Sequence, residues 1–205
     1  MAKPRLTFKR LSGLDRSGPP PPQTQAGAPL NPWTIPNAIG FLRLLSIPVF
    51  LVVALRTDDG VDLTSALLFA LIAWSDYADG IAARVTGQYS RLGTLLDPLT
   101  DRSLVLAGAI VCWKFELLPR WALGLVALRE VGMLFLVRYG LRRGADIAIN
   151  WPGRWAVWPL MSALFFAIAG VRWLAYANLY LGIFLALWAT ALYLQDGRRQ
   201  LSTRG

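Results

Sequence analysis

The chain has 205 residues, of which 55% are hydrophobic, with a mean hydropathy of +0.45 and a formal net charge of +9. An apolar content this high excludes a water-soluble domain of ordinary composition and predicts a polytopic membrane protein. The single cysteine, Cys112, lies in an apolar run, so it cannot form an intrachain disulfide and is expected to be a small buried hydrophobe.

Residues 1–31 are basic and rich in proline, with a run of prolines from Pro19 to Pro22 and no apolar stretch before Ile35. A secretory signal peptide is not expected, because no hydrophobic core and cleavage site follow the basic segment promptly. We expect a disordered cytoplasmic tail whose cations contact anionic lipid headgroups, at about 1 kcal/mol each. Nucleic acid is not an expected partner, since no folded basic face accompanies the charge.

Beyond this tail, the hydropathy divides the chain into six segments of about the length that crosses a bilayer. They are residues 37–56, 63–84, 94–114, 119–139, 155–171 and 174–194. A short juxtamembrane segment precedes the first, with Trp33 at headgroup depth and Asn37 as the N-cap of the first helix. The predicted fold is all-α: a membrane domain at 32–197 with six transmembrane helices, followed by a cytoplasmic tail at 198–205.

The basic residues of the predicted loops are concentrated on one side of the membrane. That side holds the N-terminal tail, Arg84, Arg91, the segment from Arg138 to Arg154, Arg198, Arg199 and Arg204, whereas the other holds the acidic turn Asp58–Asp62, the mixed turn Lys114–Arg120 and Arg172. Since cytoplasmic loops carry the excess of Lys and Arg, both termini are expected in the cytoplasm of a cell-membrane protein.

Four aspartates occur where lipid-facing helices should have none. Asp76 and Asp79 lie three residues apart in the second segment, and Asp97 and Asp101 lie four apart in the third, so each pair shares a helix face. The short link between these segments makes the two helices antiparallel neighbours. The sequence therefore predicts a cluster of four carboxylates at the cytoplasmic membrane surface.

The residue types around the cluster indicate a metal and a phosphate ligand. Crowded carboxylates cannot all stay ionised in a low-dielectric site unless cations join them. Oxygen ligands in a chain without histidine favour Mg²⁺ or Mn²⁺ over zinc. Gly80 and Gly93 have no side chain, so they leave room for backbone or ligand to approach closely. Gly93 is expected in the link between the two segments, together with Gly87. Arg84 adds a planar cationic fork that suits phosphate.

The aspartates also allow other interpretations. A single carboxylate near the end of a membrane helix is commonly a solvated cap or half of an ion pair, and carboxylates inside a membrane also mark the pathways of cation transporters and channels. Against a transporter, the chain shows no internal repeat, and the four aspartates are bunched at one surface. A non-catalytic scaffold would explain neither the four acids nor Arg84.

The complete pattern resembles a known family. It reads Asp76-x-x-Asp79-Gly80-x-x-Ala83-Arg84, then eight residues, then Gly93-x-x-x-Asp97-x-x-x-Asp101. Every position matches the signature of the CDP-alcohol phosphotransferase family. The chain is also similar to bacterial phosphatidylglycerophosphate synthases at Ile35-Pro36-Asn37, Arg43, Pro48, Arg129-Glu130 and Gly153-Arg154.

The resemblance implies a role for each site residue. It implies Asp76, Asp79 and Asp97 as metal ligands, with Asp101 sharing the metal and acting as the catalytic general base. It implies a CDP-binding site formed by Asp76, Asp79, Gly80, Ala83, Arg84 and Gly93. Acceptor-binding cations are expected at Arg43, Arg129, Arg138 and Arg154. Because Arg129 lies inside an apolar segment, it needs an acidic partner. We expect that partner to be a carboxylate of the site and not Glu130, because adjacent residues point in different directions on a helix. Arg43 needs an acidic partner for the same reason.

The implied reaction is metal-dependent transfer of a phosphatidyl group from CDP-diacylglycerol to sn-glycerol 3-phosphate, releasing CMP. Two departures from that subfamily leave other acceptors open. Gly40 stands where threonine is frequent, and Gly153-Arg154-Trp155-Ala156-Val157 replaces Gly-Lys-x-Lys-Thr, with the loss of one cation and one hydroxyl. Phosphatidylglycerol, as in a cardiolipin synthase of this family, and inositol phosphate are the alternatives. The expected partners are CDP-diacylglycerol, a polar or lipid acceptor and membrane lipids, and association into a homodimer is left open.

Overall fold

The computed structural model describes residues 31–142 and 151–202, so the predicted basic tail lies outside the described residues except for Asn31. The described residues form six α-helices and no β-strand, which confirms the all-α prediction. The helices are α1 (Ile35–Leu55), α2 (Leu63–Thr86), α3 (Arg91–Lys114), α4 (Arg120–Arg142), α5 (Trp151–Ile168) and α6 (Arg172–Ser202).

Three stretches within these helices are long and apolar enough to cross a membrane: Ile35–Leu55, Leu63–Thr86 and Arg172–Ala191. A shorter apolar stretch, Val157–Ile168, lies in α5. Large apolar side chains also point outward, as Leu42, Leu45 and Val49 on α1 are 55% to 68% exposed. An exposed apolar stripe of this kind is typical of a helix that faces lipid. The chain is therefore a membrane protein, and crossing by α3, α4 and α5 stays a prediction.

The start of α1 differs from the prediction in one respect. Thr34, not Asn37, is the N-cap, since its Oγ1 accepts a hydrogen bond from the Asn37 N–H at 3.3 Å. Residues 31–34, in the predicted juxtamembrane segment, are not helical. The prediction failed because the Asn37 side chain donates backward instead, to the carbonyls of Asn31 and Pro32.

The start of α3 also differs, because the helix begins at Arg91 and not at residue 94. Ser90 is its N-cap, with Oγ accepting a hydrogen bond from the Gly93 N–H at 2.9 Å. Gly93 therefore lies in the first turn of α3, and the link from α2 shortens to residues 87–90. Gly87 remains in that link with a φ of +67°, a backbone conformation that favours glycine.

The helices belong to two compact units that share the chain. The first comprises the described residues up to Phe50 together with Leu68–Leu104. Its core includes Phe50 and Phe69, whose rings meet edge to face with centroids 5.4 Å apart. All four aspartates of the predicted cluster belong to this unit.

The second unit comprises Leu51–Leu67 and the described residues from Val105 onward. Within it α5 packs along α6, and a Cβ added at Gly182 would lie 2.7 Å from Cγ of Leu160. The missing side chain lets the two helices approach closely, as small residues do in membrane proteins. Cys112 is fully buried in this unit, as the sequence predicted.

Candidate active site

Asp76 and Asp79 lie near the C-terminal end of α2, and Asp97 lies in the second turn of α3. One carboxylate oxygen from each of these three residues lies within 4.8 Å of the other two. The side chain of Asp79 is 8% exposed, whereas that of Asp76 is 46% exposed. The cluster is therefore buried on one side and open on the other, so that a ligand can enter it.

Arg43, from the middle of α1, lies among these carboxylates and joins Asp101 to them. Its Nη1 donates to Asp76 Oδ1 at 3.0 Å and to Asp79 Oδ2 at 2.9 Å, while Nη2 donates to Asp101 Oδ1 at 3.0 Å. The side chain of Arg43 is 2% exposed. An unpaired cation inside an apolar helix would be costly, so these three contacts account for an arginine at this position.

The geometry fits a hard divalent cation. Oxygens that bind one Mg²⁺ at about 2.1 Å lie roughly 3 to 4 Å from one another, so small side-chain rotations would bring the three carboxylates into place. The donors are all carboxylate oxygens, the ligand type that Mg²⁺ and Mn²⁺ prefer. Asp76, Asp79 and Asp97 are thus the residues able to hold a metal, and Asp101 is connected to them through Arg43.

The link between α2 and α3 is tied to the start of α1 by two hydrogen bonds, a buried one to Asn37 and an exposed one from Ile35. Asn37, 1% exposed, accepts a hydrogen bond at Oδ1 from Ser90 Oγ at 2.8 Å. Asn37 Nδ2 donates to the carbonyls of Asn31 and Pro32 at 2.9 and 3.1 Å. Gln88 Oε1 accepts from the backbone N–H of Ile35 at 3.0 Å. These contacts hold the two halves of the acidic motif against α1.

A cleft of about 80 Å³ opens beside the carboxylates. Its lining is mostly small or polar: Asn37, Gly40, Asp79, Gly80, Ala83, Gln88, Tyr89, Ser90, Gly93, Thr94 and Asp97, with Pro36 and Leu96. The predicted nucleotide-site residues Asp79, Gly80, Ala83 and Gly93 are thus brought to one cavity. Arg84 lies beside it, because its guanidinium is the nearest group to a Cβ built at Gly80, at 3.4 Å. Small residues beside carboxylates leave space for a polar ligand next to a bound cation.

Several of these residues were missed by reasoning from the sequence. Asn37 was interpreted only as a cap, and Gln88, Tyr89, Ser90 and Thr94 were given no role. For Gln88, Tyr89 and Ser90, the position between the two halves of the acidic motif was the one signal that could have found them, and Thr94 lies inside the second half.

Two of the four predicted acceptor arginines, Arg43 and Arg129, have side chains that the structure describes, and both contact carboxylates. Arg43 is buried among carboxylates. Arg129 pairs with Glu130, its neighbour on α4, and the two side chains are 15% and 3% exposed. The expectation that Arg129 pairs with a carboxylate of the site is therefore wrong: a long arginine can fold back onto an adjacent carboxylate, and doing so avoids an unpaired buried charge. The side chains of Arg138 and Arg154 lie outside the described part of the chain.

Residues 33–191 match the family described as CDP-alcohol phosphatidyltransferase. Over 167 residues the chain is 36% identical to a cardiolipin synthase (CMP-forming) of Streptomyces coelicolor, covering 78% of this chain and 77% of that protein. It is 28% identical over 144 residues to a CDP-diacylglycerol–glycerol-3-phosphate 3-phosphatidyltransferase of Bacillus subtilis, covering 64% of this chain and 75% of the relative. The protein of that name from Salmonella typhimurium is 28% identical over 179 residues, covering 82% of this chain and 97% of its own.

Proposed function

Because this chain belongs to the CDP-alcohol phosphatidyltransferase family, we propose that it transfers the phosphatidyl group of CDP-diacylglycerol to a glycerol-bearing lipid acceptor and releases CMP. The observation that carries this proposal is the meeting of Asp76, Asp79 and Asp97 beside a cleft lined by small residues. A transporter function has less support, since Asp76, Asp79 and Asp97 lie in one cluster instead of following a path through the bilayer.

The reaction is a displacement at phosphorus. The acceptor hydroxyl oxygen forms a bond to the phosphorus that carries the diacylglycerol, and the bond from that phosphorus to the oxygen of CMP breaks. Asp76, Asp79 and Asp97 would hold Mg²⁺ or Mn²⁺, which would neutralise charge on the pyrophosphate and on the departing CMP. Gly80, Ala83 and Gly93 leave space for the nucleotide, and Arg84 supplies a cation beside it.

Asp101 is proposed as the general base. Its carboxylate is held at Oδ1 by Arg43, and its side chain is 34% exposed, so the side chain is partly accessible. It takes the proton of the acceptor hydroxyl as the new oxygen–phosphorus bond forms. A base of this kind must lie within about 3 Å of the proton it removes, and it contributes typically 10²- to 10⁴-fold to the rate.

We favour phosphatidylglycerol as the acceptor, with cardiolipin as the product. The 36% identity to a cardiolipin synthase supports this choice. The loss of a cation and a hydroxyl at Gly153-Arg154-Trp155-Ala156-Val157 supports it too, because a phosphomonoester needs more cationic contacts than a phosphodiester. Two arginines expected to bind the acceptor, Arg43 and Arg129, are paired with carboxylates. sn-Glycerol 3-phosphate, which the sequence first indicated, is the second candidate, supported by the 28% relatives.

The test supplies purified protein and CDP-diacylglycerol with phosphatidylglycerol, sn-glycerol 3-phosphate or inositol phosphate, one at a time. CMP release and the lipid product are measured together, with Asp101→Asn as the inactive control. Cardiolipin formed only with phosphatidylglycerol is the expected result. Phosphatidylglycerophosphate formed from sn-glycerol 3-phosphate, without cardiolipin in the other arm, would refute the acceptor and leave the family reaction standing.

We also propose that all six helices cross the cytoplasmic membrane with both termini inside. This orientation is supported by the distribution of basic residues in the loops. It would put the carboxylates at the cytoplasmic surface, where CMP can leave into water.

A further inference from the structure

We infer that Arg43 is a positioning residue that fixes the base Asp101 relative to the metal-binding pair Asp76 and Asp79, an inference that rests on the proposed function. One planar guanidinium contacts carboxylates from two helices. Nη1 is shared by Asp76 and Asp79 of α2, and Nη2 is given to Asp101 of α3. Because the two nitrogens keep a fixed separation, the distance between the pair and the base is set by the geometry of one side chain.

The contacts with Arg43 use only part of each carboxylate. Arg43 contacts a single oxygen of each residue, Oδ1 of Asp76, Oδ2 of Asp79 and Oδ1 of Asp101. Arg43 makes no contact with the second oxygen of any of the three, so it does not itself block a metal or substrate there. Groups that orient ligands from behind in this way commonly change metal affinity or activity 10- to 100-fold when they are altered.

Arg43 itself is in no position to receive a soluble acceptor. Its side chain is 2% exposed, and Nε lies 3.4 Å from the carbonyl oxygen of Ile72. With Nε directed at a backbone carbonyl and both terminal nitrogens at carboxylates, the guanidinium is held along its whole edge. The acceptor-binding role that the sequence suggested for Arg43 is therefore replaced by a structural role behind the reacting groups.

The charge of Arg43 matters as well as its shape. Asp76, Asp79, Asp97 and Asp101 would carry four negative charges when ionised, and the guanidinium offsets one of them. Without it, mutual repulsion would rise and the folded state would depend more strongly on an added divalent cation. Lysine at position 43 would keep the positive charge but would lose the forked guanidinium, because one ammonium group cannot reproduce two separate donor nitrogens.

The first experiment compares Arg43→Lys with wild type and with Arg120→Lys, a control that alters an exposed ion pair to Glu116. We expect kcat to fall about 10- to 100-fold in Arg43→Lys, while the KM for CDP-diacylglycerol and the affinity for Mn²⁺ change only a few-fold. Arg120→Lys should behave as wild type. A kcat for Arg43→Lys equal to that of wild type would overturn the inference.

The second experiment needs no turnover. Thermal unfolding in detergent is followed with Mg²⁺ and with EDTA for wild type and Arg43→Gln. We expect the Tm increase caused by Mg²⁺ to be larger in Arg43→Gln, because that variant lacks the built-in cation. An equal increase in both proteins would contradict the inference. A wild-type protein that is inactive with every acceptor would instead defeat the proposed function, and this comparison would still report on Arg43.

Discussion

Asn37 and Gly93 approach each other so closely that a Cβ at position 93 would lie 3.0 Å from Oδ1 of Asn37. The same Cβ would lie 3.2 Å from Oγ of Ser90. Asn37 cannot easily move away, since it is buried and hydrogen-bonded to Ser90, Asn31 and Pro32. The missing side chain at position 93 thus lets the first turn of α3 rest against α1, next to the cleft.

Gly93→Ala should therefore lower both stability and activity. Overpacking at a site whose neighbours cannot move typically costs about 1 to 3 kcal/mol, which equals or exceeds the roughly 1 kcal/mol that alanine gains over glycine in a helix. Tm and CMP release measure the two effects. Gly124→Ala is the matched control, because its Cβ would meet only Trp113, at 3.8 Å, and it should be neutral or slightly stabilising. A Gly93→Ala protein as stable and active as this control would show that the close approach is not needed.

Asp101→Asn and Asp79→Asn should fail in different ways. The first removes the proposed base and should reduce kcat by about 10²- to 10⁴-fold with CDP-diacylglycerol binding largely kept. The second removes a proposed metal ligand and should weaken Mn²⁺ and CDP-diacylglycerol binding together. Binding is measured by calorimetry and turnover by CMP release. Near-normal turnover by Asp101→Asn would move the base to another residue.

The orientation can be tested by cysteine labelling with an impermeant thiol reagent. Thr86 and Asp58 are both exposed, so Thr86→Cys and Asp58→Cys are suitable variants. Gly60 and Gly87 are poor positions for cysteine, because their φ angles of +77° and +67° favour glycine. Position 86 should react only in inside-out vesicles and position 58 only in right-side-out vesicles. Wild type should stay unlabelled because Cys112 is buried. The reverse pattern would overturn the cytoplasmic placement of the site.

Asp62 is expected to make the stability of the α1–α2 turn depend on pH. Hydrogen bonds from the Ser65 hydroxyl and backbone N–H lower the pKa of Asp62 below its usual 3.8. Because the pKa of Asp62 is lower in the folded state than in the unfolded state, its ionised carboxylate stabilises the fold at any pH above the unfolded-state pKa. This stabilisation is lost as the pH falls through the folded-state pKa. Asp62→Ala should therefore reduce Tm at pH 7, and the difference from wild type should shrink below about pH 4. Asp58→Ala is the control, and a pH-independent difference in Tm between Asp62→Ala and wild type would exclude this role for Asp62.

The sequence was sufficient to predict six helical segments, because each is a long apolar run, and to predict that Asp76, Asp79 and Asp97 meet. Helical spacing and a short link determine that meeting locally. The partner of Arg43 could not be predicted in the same way. The three aspartates that it contacts lie 33, 36 and 58 residues away along the chain. Helical periodicity predicts contacts only between residues that are close in sequence.

Helix starts were predicted less well, since several residues nearby can act as caps. Thr34 and Asn37 are both good N-caps by type, and only the buried position of Asn37 against Ser90 decides between them. Ser90 was overlooked for the same reason, which left Gly93 in the link. The Arg129–Glu130 pair was missed because adjacent positions on a helix point in different directions. The long, flexible side chain of Arg129 can nevertheless reach the carboxylate of Glu130.

We propose above that the aspartate cluster binds a divalent cation and that the protein transfers a phosphatidyl group from CDP-diacylglycerol. The most direct measurement is CMP release by purified protein in vesicles that contain CDP-diacylglycerol and phosphatidylglycerol, with Mg²⁺ or Mn²⁺ and then with excess EDTA. We expect CMP and cardiolipin to form with the metal, to stop with EDTA, to return when metal is restored, and to be absent with Asp79→Asn. CMP release that continues undiminished in excess EDTA, or in Asp79→Asn, would contradict the claim.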